Sequence, residues 1–244
     1  MIKFIKYDLK SNKNYLMTIL LIQLIALVGS FLVRMFVPMN VLFAEKRLTD
    51  IIFITSIVFF VGVNFVFMAN FIYKDYFTKR AMLTFSLPMS IKSFVLGKVI
   101  GISLFFITSG FFLSLSLLLL GYTLGSDFFY YMIFAFILIN VLSLCLNLNI
   151  ARSRFTGKFS WLAMVMTLVV LIAPIFIYTS FNALVLIDGD LIRTSGMGFS
   201  FIFPFAVGEG TLYKILTPLI YYLVAVFILY FVNVSYISKN LDLS

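Results

Sequence analysis

Six apolar runs, each close to the thickness of a bilayer's hydrocarbon core, constrain this chain more than any motif in it. A helix rising 1.5 Å per residue needs about 20 apolar residues to cross roughly 30 Å of hydrocarbon. Such runs lie at about residues 15–37, 51–73, 94–120, 128–148, 161–181 and 212–237. In that solvent every backbone N–H and C=O must be satisfied within the protein, so helices are the expected form. Composition agrees: 63% of the residues are hydrophobic and 11% charged, too little charge to coat a 244-residue domain in water. The expected fold is an all-α integral membrane protein, a single transmembrane domain over residues 1–244. Pro174 predicts a kink in the fifth run, and Pro218 lies one or two turns inside the sixth.

The flanking segments read differently. The N-terminal IKFIKYDLKSNKNYL is not expected to be a signal peptide, since its basic part is long, is interrupted by apolar residues and precedes no small-residue cleavage site. Ile2, Ile5 and Leu9 form a helical stripe opposite Lys3, Lys6, Lys10 and Lys13, so residues 1–14 read as an amphipathic helix in the headgroup region. A frayed tail is the alternative. Residues 182–211 carry Gly189, Gly196, Gly198, Pro204, Gly208 and Gly210, and their middle, FSFIFPFAV, is apolar but too short to span. A re-entrant hairpin in the outer leaflet is expected there, with an ordinary outside loop as the alternative.

Orientation follows from the basic residues. With the N-terminus inside, the outside holds only Arg34, Lys46, Arg47, Arg193 and Lys214, and the other thirteen of the eighteen Lys and Arg fall inside. A multi-pass protein of the cell membrane with both termini cytoplasmic is therefore expected. The net charge of +9 is a topology signal, and its spread over loops and tails does not suggest nucleic acid binding.

Several chemistries lack their residues. The chain has no histidine, and its one cysteine, Cys145, sits in an apolar run, which leaves no Ser-His or Cys-His pair and no thiolate metal site. No GxxxxGK[ST] loop is present to cradle ATP phosphates. All nine acids fall in loops, tails or span ends. A membrane-embedded enzyme acting on lipid, a reading from a different class, would need acids or a nucleophile–base pair inside the spans. The interior offers instead amides and hydroxyls: Gln23, Asn64, Asn70, Asn140, Ser143 and Asn147. Among them Asn64, Asn140 and Asn147 are candidates for lining a pathway or joining helices. Gly97 and Gly101 form a GxxxG spacing in the third run.

Residues 73–98, YKDYFTKRAMLTFSLPMSIKSFVLGK, join the second run to the third. They carry Lys74, Lys79, Arg80, Lys92 and Lys98 against one acid, Asp75. Asp75 is expected to cap a short amphipathic helix that Pro88 ends, and Ser90 to cap the helix that follows. Phe77, Ala81, Met82 and Phe85 would share one face of the first, with Lys79, Leu83 and Leu87 on a neighbouring one.

The order of these parts resembles the permease subunits of bacterial type 2 ABC exporters. The closest local likeness is TKRAMLTFSLPMSIKSFVLGKVIG, residues 78–101, which is similar to that family's cytoplasmic segment. The resemblance implies that residues 74–92 act as a coupling segment docking in a separate ABC ATP-binding subunit. Phe77, Met82, Leu83, Phe85 and Leu87 would be the docking residues, with Lys79 and Arg80 at the rim. ATP and magnesium would then belong to that partner, with no cofactor and no catalysis in this chain, and a second permease chain, identical or related, would complete the transporter. The implied cargo is amphipathic or apolar. Antimicrobial, cytolytic or phenol-soluble-modulin-type peptides come first; drugs, lipid-like molecules or lantibiotic immunity are the alternative.

The orientation is open to direct test. Cysteines placed at Ser126 and Ser195 should react with an impermeant thiol reagent added outside, and one at Ser153 should not. Reversed labelling would overturn the topology.

Overall fold

The computed structural model describes residues 10, 12–36, 42–43, 46–77, 90–157, 161–187, 190–194, 205–208 and 211–241. Six helices long and apolar enough to cross a membrane dominate them. They are α1 (Lys13–Phe36), α2 (Leu48–Phe77), α3 (Ile91–Leu119), α4 (Ser126–Thr156), α5 (Trp161–Phe181) and α6 (Leu216–Leu241). The chain is thus a predominantly helical, multi-pass membrane protein. The N-terminal interfacial helix falls almost wholly outside the described residues.

Two compact units divide the chain: Met1–Asp75 with Met82–Met132, and Tyr76–Ala81 with Ile133–Ser244. In the first, α1 packs along α3. Their ends are joined where Arg34 Nη1 donates to the carbonyls of Leu118 and Leu119 at 3.2 and 2.9 Å. A helix leaves its last carbonyls without intrahelical partners, and a guanidinium suits them in both hydrogen bonding and dipole. The same end closes on Gly121 at φ 91°, whose N–H donates to Leu118 O while Tyr122 N–H donates to Leu117 O. Glycine adopts that left-handed turn without a Cβ penalty. At its other end α3 begins as expected, with Ser90 Oγ accepting from Ser93 N–H at 3.3 Å.

An aromatic stack fills the first unit. Phe67 is fully buried, with its ring centroid 3.8 Å from that of Phe105 and 5.2 Å from that of Phe71. Phe71 in turn lies over Gly101, where a Cβ would stand 2.8 Å from its Cζ and 2.9 Å from its Cε1. The second glycine of the GxxxG spacing therefore makes room for a ring on α2.

In the second unit, α4 continues past residue 148 to Thr156, because Ile150, Ala151 and Ser153 keep a buried face there. Gly157, at φ 68°, follows its end. Helix α5 is the least enclosed of the six. Pro174 lies inside α5, as the sequence indicates.

The segment between α5 and α6, where a re-entrant hairpin or an outside loop is expected, is largely extended in its described residues. Its described residues form strands β3 (Ala183–Ile187), β4 (Asp190–Thr194), β5 (Phe205–Gly208) and β6 (Thr211–Ile215). With the two-residue strands β1 (Leu42–Phe43) and β2 (Lys46–Arg47) before α2, they make up the extended structure of the described residues. The later four pair antiparallel in the order β4-β3-β6-β5, with Val185 opposite Ile215. Those two side chains are buried, and Thr217 Oγ1 in the first turn of α6 accepts from Leu184 N–H at 2.9 Å. The β-branched residues of ALVLI and TLYKI suit extended backbone. Strand β6 takes residues 212–215 from the expected sixth span, so Pro218 stands in the first turn of α6, where its missing N–H is harmless. Most of the apolar stretch FSFIFPFAV, residues 199–204, lies outside the described residues.

Ser153 is 6% exposed, so a cysteine there would resist labelling from either side; a cysteine at exposed Thr156, expected inside, gives the informative test and should escape the external reagent. The Phe71–Gly101 contact gives a second test. Gly101→Ala should lower the apparent stability of the detergent-solubilised protein by about 1–3 kcal/mol through overpacking. Adding Phe71→Leu should restore much of the loss, read as the shift in thermal unfolding midpoint.

Candidate functional site

The residues expected to cap and flank the basic connection prove to hold its two ends. Asp75, expected as a cap, lies within the last turns of α2 and is 3% exposed. Its carboxylate forms an ion pair with Lys98 on α3, also 3% exposed. The ammonium also sits 4.0 Å from the centroid of the Phe71 ring and 3.4 Å from the Phe71 carbonyl. A carboxylate beside a buried ammonium is far better placed than one alone at a helix end, which is why Asp75 turns inward. Lys98, counted from sequence as one more basic residue on the inside, is thus a core residue of the first unit. Phe77 ends α2 and is exposed. Lys79, Arg80, Met82, Leu83, Phe85 and Leu87 lie outside the described residues.

A cavity of about 350 Å³ opens among α1, α2 and α3, also within the first unit. Its wall is mostly apolar, with Phe59, Phe60 and Phe112, and holds no charged side chain. Gln23 and Ser109 contribute polar groups to it. Gln23 Nε2 donates to Ser109 Oγ at 2.5 Å, and Asn64 Nδ2 donates to the same oxygen at 3.1 Å and to Phe60 O at 2.8 Å. Gln23 Oε1 has no hydrogen-bond partner among the described residues. Of the three candidate asparagines, Asn64 is therefore the one beside a cavity.

Asn140 and Asn147 belong to the second unit and do different work. Asn140 Nδ2 donates to Phe136 O on its own helix at 2.8 Å. Asn147 stands in a buried relay: Tyr76 Oη donates to Asn147 Oδ1 at 3.1 Å, and Asn147 Nδ2 donates to Asn233 Oδ1 at 2.8 Å. Asn233 Nδ2 then donates to Leu144 O and Leu229 O at 3.0 and 2.8 Å. The chain of bonds joins α4 to α6 and accounts for both amides, the expected use of polar groups where no water competes. Ser109 and Asn233 were missed from the sequence, although each is a polar residue within an apolar run, the signal that marked Asn64 and Asn147.

The ion pair separates two effects. Asp75→Asn should strand a buried ammonium and cost about 3–5 kcal/mol, seen as a large fall in thermal midpoint. Asp75→Leu combined with Lys98→Met should recover most of it. If the single variant melts with the wild type, the pair does not hold the ends of α2 and α3.

No protein-family model matches this chain, and comparisons with curated proteins and with solved structures find no match either.

Proposed function

We propose that this chain is the membrane subunit of an ATP-driven exporter of amphipathic or apolar cargo, with peptides the leading class. It works with a separate ABC ATP-binding subunit and a second permease chain in the cell membrane, and both termini are cytoplasmic. The observation that carries the reading is the Asp75–Lys98 pair. It ties the end of α2 to the start of α3, on either side of the basic segment 78–89. A load applied to that segment would reach two spans braced against each other, as coupling to an external motor requires. ATP would act by binding one state of the assembly better than the other, since only differential affinity shifts such an equilibrium.

The experiment separates motor from permease. The rigorously purified chain should hydrolyse no ATP, and hydrolysis should appear only with an ATP-binding cassette subunit encoded in a neighbouring gene. Phe85→Ala and Arg80→Glu should leave the protein inserted but sharply reduce copurification with that subunit and stimulated hydrolysis, through a cavity and a repelled charge at the contact. Hydrolysis by the lone chain would bring an enzyme reading forward. Wild-type binding and transport in both variants would make residues 78–89 a membrane-surface linker.

A further inference from the structure

The second unit carries a groove that the exporter reading does not use. It measures about 480 Å³, and its walls come from α5 between Ala163 and Leu171 and from α6 between Tyr221 and Leu229. Met166, Val170, Val224 and Ile228 line it and are exposed, so in a membrane they meet acyl chains. Its far end is closed where Tyr221 Oη donates to Leu171 O at 2.7 Å, and the Thr167 hydroxyl is bonded to Ala163 O at 2.7 Å. The single charged group in the lining is Arg152, near the end of α4. Among the described residues Arg152 forms no ion pair.

Depth and charge together specify an occupant. From Ala163 to Leu171 the groove follows α5 for roughly 12 Å at 1.5 Å per residue. Those residues occupy the first half of α5, Trp161–Phe181, so the groove runs from one membrane surface to about the bilayer midplane. That is the reach of one acyl chain in one leaflet. A guanidinium at the surface end presents a planar fork of donors matched to phosphate oxygens, with no carboxylate in the lining to repel them. We propose that this groove binds one anionic phospholipid, its acyl chain between α5 and α6 and its phosphate on Arg152. A neutral zwitterionic lipid can fill the same trough but gains less from Arg152, because its own cation offsets the phosphate.

Trp161, the only tryptophan, begins α5 two residues before Ala163 and reports on lipids near the groove. The full chain is reconstituted in phosphatidylcholine vesicles, and quenching of its fluorescence by dibrominated phosphatidylglycerol is compared with quenching by dibrominated phosphatidylcholine of the same chain length. The wild type should favour the anionic lipid about fivefold, the worth of one basic residue beside an anionic phosphate surface. Arg152→Gln should bring the preference close to unity, Arg152→Lys should keep part of it, and Arg154→Gln should leave it unchanged. Val224→Phe, which fills the trough from its exposed side, should abolish the preference without changing helicity. Equal quenching by the two lipids in the wild type would overturn the proposal. So would loss of preference in Arg154→Gln, which would mean a diffuse basic surface. A disulfide-linked dimer of a Val170→Cys variant would show a second copy of the chain covering the groove, and would overturn it as well.

Discussion

Hydrocarbon offers a polar side chain nothing to bond to, so each one that enters the interior of this protein has to be met by protein. That constraint explains placements that look unrelated. Even the exposed Arg34, at the end of α1, turns to the carbonyl end of α3, where helix geometry leaves acceptors without intrahelical partners. Asn233 makes three hydrogen bonds through two side-chain atoms, and Tyr76 puts its hydroxyl on Asn147 while its ring is wholly buried. The helices associate through these bonds and through ring packing such as that of Phe67 on Phe105, because apolar contact alone does not distinguish a neighbouring helix from lipid.

The Asp75–Lys98 pair is the most demanding case. Desolvating two charges costs several kcal/mol per ion, and mutual attraction offsets this only in close geometry with additional partners. Here the ammonium has a carboxylate, an aromatic face and a main-chain carbonyl around it. Pairs of this kind are poor sources of stability compared with apolar replacements, but they are exacting about position. A pair that fixes two helix ends across a thirteen-residue connection contributes geometry more than energy.

Much of this was legible in the sequence. The six spans follow from run length alone, and the Ser90 cap comes from local chemistry that does not depend on distant partners. What was not legible depends on contacts far apart in the chain. Asp75 looks like a cap until Lys98 is seen beside it, and Gln23 meets Ser109 across 86 positions. The strands after α5 were hidden because glycine and proline in a membrane protein suggest irregular loops, while the short strands β3 and β6 pair across some thirty positions. Asn64, Asn140 and Asn147 look alike as letters, and only their neighbours assign one to a serine that lines a cavity, one to a carbonyl of its own helix and one to a relay.

The serines and threonines around the first unit's cavity carry one more consequence. Ser30, Thr55 and Ser56 each direct the hydroxyl hydrogen back to a carbonyl one turn earlier, on Ala26, Ile51 and Ile52. A hydroxyl so engaged keeps only lone pairs for whatever approaches from the front. Those three hydroxyls therefore present electron-rich oxygen, while Ser109, whose oxygen accepts twice, keeps its own hydrogen to donate. Beside Ser30, Thr55 and Ser56 the wall would receive an amide N–H, hydroxyl or ammonium group more readily than a carbonyl or carboxylate, a local polarity that no count of charged residues reveals.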